Sequence, residues 1–277
     1  MKDDTLSKIH SLELEIMDEV EKICNKYNLR YTLIAGSLIG AIRHTGFIPW
    51  DDDLDIAMPR EDYEKFIEIC KSELPERFII DSHETSDLYY RLAAKIRIKN
   101  TLYVEKALIN YKGNHGIWVD ILPLDYAKKK KSILLWFQGT LKSILEVAIE
   151  KKSNVDISEK SLWKKILVKA FCIFSRKKLI NMQKNIMKFQ NKKDCKYIVN
   201  LASKYGYKKQ TFLIEDYFPL KRVKFENMEL NIPNNYDYIL KTIYGDYMKI
   251  PPKEKQFIHT PVKIKLEDGE EIIYEKI

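Results

Sequence analysis

The sequence predicts an α/β (α+β) protein in which a mixed sheet is flanked by helices and carries a basic helical insert. Short apolar, β-branched stretches alternate with amphipathic segments of helical spacing over residues 1–127. A lysine-rich stretch of helical character follows over 128–200, and mixed patterns return over 201–277. A chain of 277 residues can bury a sizeable core as one domain with an appended subdomain.

The elements follow in chain order from apolar periodicity and from signals for turns and helix ends. The first helix is predicted because Ile9, Leu12, Ile16 and Val20 repeat at helical spacing. Helices are predicted near residues 5–27, 37–44, 60–73, 131–150, 159–192 and 235–244. Strands are predicted near residues 31–35, 53–58, 77–81, 91–99 and 116–122.

A phosphate-binding turn is predicted at Gly36 and Ser37. The apolar run from Tyr31 to Ala35 reads as a buried strand and ends at Gly36, where the backbone can turn without a Cβ clash. Ser37 is a preferred N-cap for the helix that follows, and the free N–H groups of a first helical turn bind anions. A plain strand-to-helix turn is the alternative.

Alternating carboxylates follow this turn and indicate a metal site. In a strand, Asp51, Asp53 and Asp55 would share one face, where their charges repel unless a cation lies between them. Hard oxygen ligands of this kind suit Mg²⁺ or Mn²⁺. A calcium-binding loop does not match, because its sixth position is Ile56 instead of glycine and its twelfth is Asp62 instead of glutamate. A solvated acidic loop is the remaining alternative.

A third carboxylate, Asp120, lies in the middle of the apolar run 116–123. Burying an unpaired carboxylate costs several kcal/mol, so a partner is expected. That partner is a metal ion or, alternatively, a buried arginine or a helix N-terminus. Asp125 is expected to be a turn or cap residue.

Several further segments carry a family resemblance. They are the stretches Leu38–His44, Gly46–Ile56 and Met58–Tyr63, the basic run Lys95–Thr101, the acidic run Gly116–Asp125, and Tyr244–Tyr247 with Pro251-Pro252. Together they resemble the LicD family of phosphocholine transferases, which is related to fukutin and lies in the polymerase-beta-like nucleotidyltransferase superfamily. No motif matches between about residues 127 and 200.

The resemblance also implies how the chain is divided into domains. Residues 1–127 would form a nucleotidyltransferase-like catalytic core, 128–200 a basic amphipathic helical insert, and 201–277 a segment that completes the catalytic domain.

The resemblance also implies a reaction. A CDP-activated donor such as CDP-choline would pass its phospho-alcohol group to a hydroxyl of a cell-surface glycan or teichoic-acid precursor, with CMP leaving. Catalytic Asp53 and Asp55 would hold Mg²⁺, and Asp120 would hold a second metal or accept the proton of the hydroxyl. Ribitol or glycerol phosphate donors would require the same aspartates. Nucleotidyl transfer to a small acceptor and a non-catalytic binding module are the two alternatives.

Substrate contacts are predicted around these carboxylates, beside Gly36 and Ser37. Arg43 and His44 could reach a phosphate or the head group, and Trp50 could stack on cytosine or enclose choline. Arg97 and Lys99 lie at strand spacing and could meet the donor phosphates, although an alternating charged strand edge explains them equally well. Packing is the alternative for Trp50.

Other polar residues are expected to be structural. Asp51 and Asp52 are expected to position the acidic loop or to cap the metal site through indirect contacts. His115 and His259 lack the spacing of metal ligands. The four cysteines are widely spaced without a Cys-x-x-Cys pair, which predicts reduced thiols and no zinc site.

Charge favours polyanionic partners. The net charge is +8 and the pI is about 9.0, which suits nucleotides, anionic membranes and phosphate-rich polymers. No glycine and aromatic pattern of an RNA-binding module is present, so a nucleic-acid partner is not expected.

The amphipathic start of the chain differs from a secretory signal and predicts a cytoplasmic protein. The apolar tract 132–149 contains Gln138, Lys142 and Glu146 and falls short of a spanning helix. Lysine-rich helices bearing Trp136 and Trp163 could lie against the inner face of an anionic membrane, as a peripheral contact with a lipid-borne glycan acceptor. Helices that bury their apolar faces on the catalytic domain are the alternative.

Overall fold

A computed structural model describes residues 3–191, 194–203, 205–256, 259 and 261–274. Over these residues the chain forms eight α-helices and twelve strands, which confirms the predicted mixed α/β class. The helices are α1 (Asp3–Tyr27), α2 (Ala35–His44), α3 (Arg60–Glu73), α4 (Ile133–Lys152), α5 (Leu162–Phe171), α6 (Arg176–Lys188), α7 (Ile214–Tyr217) and α8 (Tyr236–Tyr244). The strands are β1 (Thr32–Leu33), β2 (Leu54–Pro59), β3 (Phe78–Asp81), β4 (Ala94–Ile98), β5 (Leu102–Glu105), β6 (Trp118–Ala127), β7 (Tyr197–Val199), β8 (Thr211–Leu213), β9 (Lys221–Phe225), β10 (Met228–Ile232), β11 (Pro261–Lys265) and β12 (Glu271–Ile273).

The central sheet is mixed and is organised around β6. Its strand order is β1-β2-β6-β4-β3, and β7 pairs with the end of β6 and with β8. β2 runs parallel to β6, whereas β4 runs antiparallel to it on the other side. This register sets Asp55 of β2 and Lys95 of β4 opposite Asp120 of β6. The acidic and basic runs of the sequence therefore meet on adjacent strands.

The main core lies between this sheet and the helices α1 and α3. Ile16 and Val20 of α1 and Phe66 of α3 belong to one buried cluster with Ile56 and Val119 of the sheet. Near-complete burial of such side chains stabilises the fold by roughly 1.5–3 kcal/mol each. The core thus holds β2 and β6 rigidly side by side.

Several short strands were not predicted. β5 pairs with β11, β11 pairs with β12, and β9 forms a separate hairpin with β10. These strands span three to five residues each. Such short runs carry too few alternations for periodicity to identify them.

The predicted single helix over 159–192 is wrong. The described part of this segment forms two helices, α5 and α6, and residue 192 lies outside the described residues. Ser175 accepts a hydrogen bond from the Lys178 backbone N–H and caps the second helix. A serine N-cap in the sequence was the signal for this break.

The helix after Gly36 begins two residues earlier than predicted, at Ala35. Ser37 is therefore inside the first turn and is not the N-cap. Its Oγ instead accepts a hydrogen bond from the Asp55 backbone N–H at 2.8 Å. Pairing with the neighbouring strand has replaced local capping.

Asp125 is also not the turn or cap residue that was expected. It lies within β6, is fully buried, and accepts two hydrogen bonds from Arg60 at 2.8 and 2.6 Å. This bidentate ion pair ties α3 to the central strand.

The insert helices pack around α4, which contacts both α5 and α6. Ile144 and Leu145 of α4 share a buried cluster with Val168 of α5, Leu179 of α6 and Tyr90, which precedes β4. The domain boundaries at 127 and 200 stay a prediction. Among the described residues, no helix is long and apolar enough to cross a membrane. The four cysteines are free thiols, as predicted.

Candidate active site

Three aspartates converge on adjacent strands of the central sheet. Asp53 directly precedes β2, Asp55 lies on β2, and Asp120 lies opposite Asp55 on β6. One carboxylate oxygen from each lies within 4.8 Å of those of the other two. Residues two apart on a strand share a face, so Asp53 joins the pair that the parallel register creates.

Asp120 is held through one of its two oxygens. The Lys95 ammonium donates to Oδ2 at 2.7 Å, and the Trp118 indole N–H donates to the same atom at 2.8 Å. Lys95 also lies 3.9 Å from the centre of the Trp118 ring. Oδ1 of Asp120 is buried and has no hydrogen-bond partner among the described residues. Because buried polar atoms normally have a partner, this oxygen is expected to contact a ligand.

The charges at this site are unbalanced. Burial and the neighbouring carboxylates Asp53 and Asp120 raise the pKa of Asp55 well above its usual range. Burial also raises the pKa of Asp53, although His259 opposes this shift. Burial would raise the pKa of Asp120 too, but Lys95 and Arg91 outweigh it and lower that pKa. A cation would relieve the repulsion between Asp53 and Asp55.

These residues fit a divalent metal. The three carboxylates offer hard oxygen atoms, and the unpartnered Oδ1 of Asp120 lacks the contact that a cation would supply. Oxygen donors of this type suit Mg²⁺ and Mn²⁺.

A second cluster supports the acidic loop. Oδ1 of Asp52 accepts hydrogen bonds from the His259 backbone N–H at 3.1 Å and from its ring Nδ1 at 3.0 Å, and Oδ2 accepts one from the Tyr103 hydroxyl. Burial lowers the pKa of His259, but the Asp52 hydrogen bond and the charge of Asp53 raise it to about 9. The ring Nδ1 of His259 lies 3.8 Å from Oδ2 of Asp53.

His259 thus belongs to the site's surroundings, and sequence reasoning missed this. It forms a potential ligand group with Asp52 and Asp53, but both Asp52 oxygens already accept hydrogen bonds. The residue lies far along the chain with no motif beside it, so local spacing held no signal. Asp52 contacts Tyr103 and His259, and its role in positioning the loop stays a prediction.

The first turn of α2 borders the same cavity as the carboxylates. Ala35 and Leu38 line that cavity, whereas Gly36 and Ser37, which lie between them in the chain, are not among the described residues that line it. A Cβ on Gly36 would overlap Oδ2 of Asp51, which explains the glycine by close approach of the acidic loop. The N-cap residue of α2 provides no side-chain cap. These backbone N–H groups suit an anion.

Arg43, His44 and Trp50 form a separate group. Arg43 donates to the Tyr247 carbonyl at 2.6 Å and to the ring of His44 at 2.9 Å, and it lies 5.9 Å from the centre of the Trp50 ring. Arg43 thereby holds the segment that contains the Tyr244–Tyr247 motif. None of the three is among the described residues that line the cavity. Their contact with a ligand stays a prediction.

The basic strand presents Lys95 to the carboxylates, whereas contact of Arg97 and Lys99 with donor phosphates stays a prediction. Arg97 is buried in an ion pair with Asp81 at 2.9 Å and donates to a backbone carbonyl. Lys99 is exposed in the turn after β4 and lines a second cavity. Lys95, two residues before Arg97, is the member that reaches Asp120. The register between β4 and β6 sets Lys95 opposite Asp120, and it decides which of these three basic residues reaches the carboxylate.

The cavity that contains the three aspartates has a volume of about 810 Å³. Small-molecule sites typically span about 300–1,000 Å³. Its other walls come from α4 and α5, from residues 200–203, 205–208 and 210, and from α8. The basic insert therefore forms one side of the candidate active site.

Comparisons with known proteins agree with this arrangement. Residues 28–142 match the family described as LicD/FKTN/FKRP, nucleotidyltransferase domain. The chain is 34% identical over 267 residues to the lipopolysaccharide cholinephosphotransferase LicD of Haemophilus influenzae, covering 94% of this chain and 97% of that protein. An uncharacterised protein of Rickettsia prowazekii is 26% identical over 117 residues, 35% of this chain and 44% of its own.

A shorter match, to an uncharacterised protein of Rickettsia typhi, is 42% identical over 55 residues, 20% of this chain and 18% of its own. The match to the Haemophilus influenzae protein extends through the insert, where no motif was found. Identity at this level over nearly the whole of both chains confirms the resemblance. The chain belongs to the LicD family and is a LicD-type transferase.

Proposed function

We propose that this chain transfers phosphocholine from CDP-choline to a hydroxyl of a cell-surface glycan, with CMP as the leaving group. The observation that carries the proposal is the convergence of Asp53, Asp55 and Asp120 in one cavity. It occurs in a chain that matches a lipopolysaccharide cholinephosphotransferase over 94% of its length.

Asp53, Asp55 and Asp120 would hold Mg²⁺ or Mn²⁺. When bound, such an ion neutralises the donor diphosphate and stabilises charge on the entering and leaving oxygens. We assign Asp120 to metal binding instead of proton abstraction. Its pKa is lowered, so it is a weak base, and Lys95 and Trp118 fix one oxygen and leave the other to a ligand.

The transfer is a displacement at the phosphorus that carries choline. The acceptor oxygen bonds to this phosphorus while the bond to the CMP oxygen breaks, and CMP takes the electron pair. The hydroxyl proton passes to a carboxylate of the cluster or to water. Backbone N–H groups at Gly36 and Ser37, in the first turn of α2, would bind a donor phosphate.

The acceptor would enter along the wall that the insert forms. Thr140, Ser143 and Asn200 of the insert line the cavity, as does Gln210 beyond it, and they offer hydroxyl and amide groups to sugar hydroxyls. The Haemophilus influenzae relative is named for lipopolysaccharide. We propose a glycan of this kind, or a teichoic-acid precursor, as the acceptor.

The test measures CMP release from CDP-choline, CDP-ribitol and CDP-glycerol with an oligosaccharide acceptor, with and without Mg²⁺. We expect release from CDP-choline that needs the metal and is lost in Asp53→Asn. Asp18→Asn, which changes an exposed acid on α1, is the matched control. Preference for another CDP-alcohol would overturn the donor assignment.

The same assay separates the two alternatives. Pyrophosphate release from a nucleoside triphosphate would indicate nucleotidyl transfer. Binding of CDP-choline without turnover would indicate a binding module. Thermal unfolding detects such binding, since a ligand at a hundred times its dissociation constant stabilises by about 2.7 kcal/mol.

A further inference from the structure

We propose that the basic insert, residues 128–200, docks the enzyme on an anionic lipid bilayer through the start of α4 and the outer face of α5. This inference rests on the proposed function only for the acceptor, which a docked cavity would meet at the lipid surface. The docking itself depends on features of the insert alone.

The outer face of α5 is apolar and faces solvent. Leu162, Trp163, Ile166 and Leu167 are 72, 48, 57 and 44% exposed. Their spacing places them on one side of the helix, whereas Val168 on the opposite side is fully buried. An amphipathic helix normally turns its apolar side to the core. α5 does the reverse, so its apolar side is available to a partner.

The start of α4 continues this surface. Ile133, Leu134, Trp136 and Phe137 are 86, 42, 52 and 54% exposed, and Leu135 between them is fully buried. Trp136 and Trp163 both line the active-site cavity, so both helical faces border the same opening of the protein. We call these eight exposed side chains of α4 and α5 the docking surface. Exposed apolar patches of this kind mark interaction sites.

The charge of the insert selects an anionic partner. Residues 128–200 contain 19 Lys and Arg and five Asp and Glu, a net charge of +14. The rest of the chain contains 29 and 35, a net charge of −6. The whole positive excess of the protein therefore lies in the insert. Apolar residues flanked by lysines are the pattern that binds in the headgroup region of anionic membranes.

Two other occupants agree less well with these features. A second copy of the chain on a two-fold axis would bring the same lysine-rich surface against itself, which repels. A nucleic acid would meet exposed leucine and isoleucine side chains, which do not stack on bases as aromatic platforms do. A bilayer satisfies both the aliphatic side chains and the surrounding charge.

Docking in this way would orient the active site. Trp136 and Trp163 are about half exposed and line the cavity that holds Asp53, Asp55 and Asp120. Tryptophan rings favour the membrane interface. The cavity would therefore open beside the lipid headgroups, where a glycan is attached to its lipid carrier.

The test is flotation of the full-length protein with vesicles of phosphatidylglycerol and phosphatidylethanolamine in equal parts, at low and high salt. Vesicles of phosphatidylcholine and phosphatidylethanolamine serve as the neutral comparison. We expect binding to the anionic vesicles that salt weakens. The double variant Leu162→Ser, Ile166→Ser should lower the partition coefficient about a hundredfold, because two apolar side chains no longer enter the lipid.

Ile273→Ser is the matched control, because Ile273 is 62% exposed on β12, outside the insert. A second variant, Lys169→Glu, should weaken anionic binding without removing an apolar side chain. Equal binding to both vesicle types, or full binding by the double variant, would overturn the proposal. So would lipid-independent self-association that the double variant abolishes, since the occupant would then be a second copy.

The outcome is separable from that of the proposed function. Leu162 and Ile166 do not line the cavity, so CMP release with a short oligosaccharide acceptor should be unchanged in the double variant. Vesicle binding without transferase activity would overturn the reaction alone. Transferase activity without vesicle binding would overturn the docking surface alone.

Discussion

The aspartate cluster of β2 and β6 and the basic insert differ in where their charges and apolar side chains lie. In the cluster, acids lie among buried strands, and Lys95 occupies the register position opposite Asp120. In the insert, most of the described lysines face solvent, with Lys142 buried as an exception, and apolar side chains of α4 and α5 are left uncovered. Burial makes each charge in the cluster costly, so its partners are specific. In the insert, each exposed charge keeps its hydration and costs little free energy. The net positive charge of the insert then favours an anionic partner.

The largest effect that could break this comparison is at Asp55. Asp55→Asn should lower the rate of CMP release by about a thousandfold or more, because a ligand of the charge-stabilising ion is lost. Stability should hold or rise, since burial and neighbouring carboxylates already raise the pKa of Asp55 and an amide removes that repulsion. Activity assays and thermal unfolding measure both. Near-normal turnover would remove Asp55 from the site.

The next test concerns the buried partner of the cluster. Lys95→Met should cost about 3–5 kcal/mol of unfolding free energy, because Asp120 loses its counter-ion in a buried position. Lys177→Met on the exposed surface of α6 is the control and should change stability by less than about 0.5 kcal/mol. Denaturant unfolding compares the two. Equal effects would mean that burial does not distinguish these lysines.

A double variant sharpens this test. Lys95→Met with Asp120→Asn should recover part of the lost stability, since no charge remains unpaired. It should stay inactive, because the carboxylate is absent. Recovery of activity together with stability would show that Asp120 serves only to balance Lys95.

Metal addition gives a smaller effect at the same cluster. Mg²⁺ at a hundred times its dissociation constant should stabilise the natural protein by about 2.7 kcal/mol, which is a shift of several degrees in the midpoint. Asp53→Asn should lose most of this shift, whereas Asp18→Asn should keep it. Thermal scans with chelator and with added Mg²⁺ provide the measurement. An unchanged shift in Asp53→Asn would place the ion elsewhere.

The smallest expected effect is at Trp50. Its ring contacts His44 and Arg43 and is not among the described residues that line the cavity. Trp50→Phe should therefore change KM for CDP-choline by less than about twofold, because the substitution removes no contact with the donor. A tenfold rise in KM would restore Trp50 to the donor site.

The sequence by itself predicted the mixed α/β class and singled out the three aspartates that converge in the structure. Alternation placed Asp53 and Asp55 at a strand, and a lone acid in an apolar run marked Asp120, because a buried carboxylate is conspicuous in a periodic pattern. The mixed class and the first helix follow from periodicity and composition in the same way. The family resemblance added the expected reaction, and the whole-chain match confirmed the family.

Only the tertiary structure decided which residues meet. The choice of Lys95 over Arg97 and Lys99 depends on the register between β4 and β6. The approach of His259 to Asp52, and that of Arg43 to the Tyr247 carbonyl, joins segments far apart in the chain. The solvent-facing side of α5 depends on which helix covers its other side. Local periodicity predicts that one face of a segment is apolar. It does not predict which segment packs on that face, because such packing joins residues far apart in the chain.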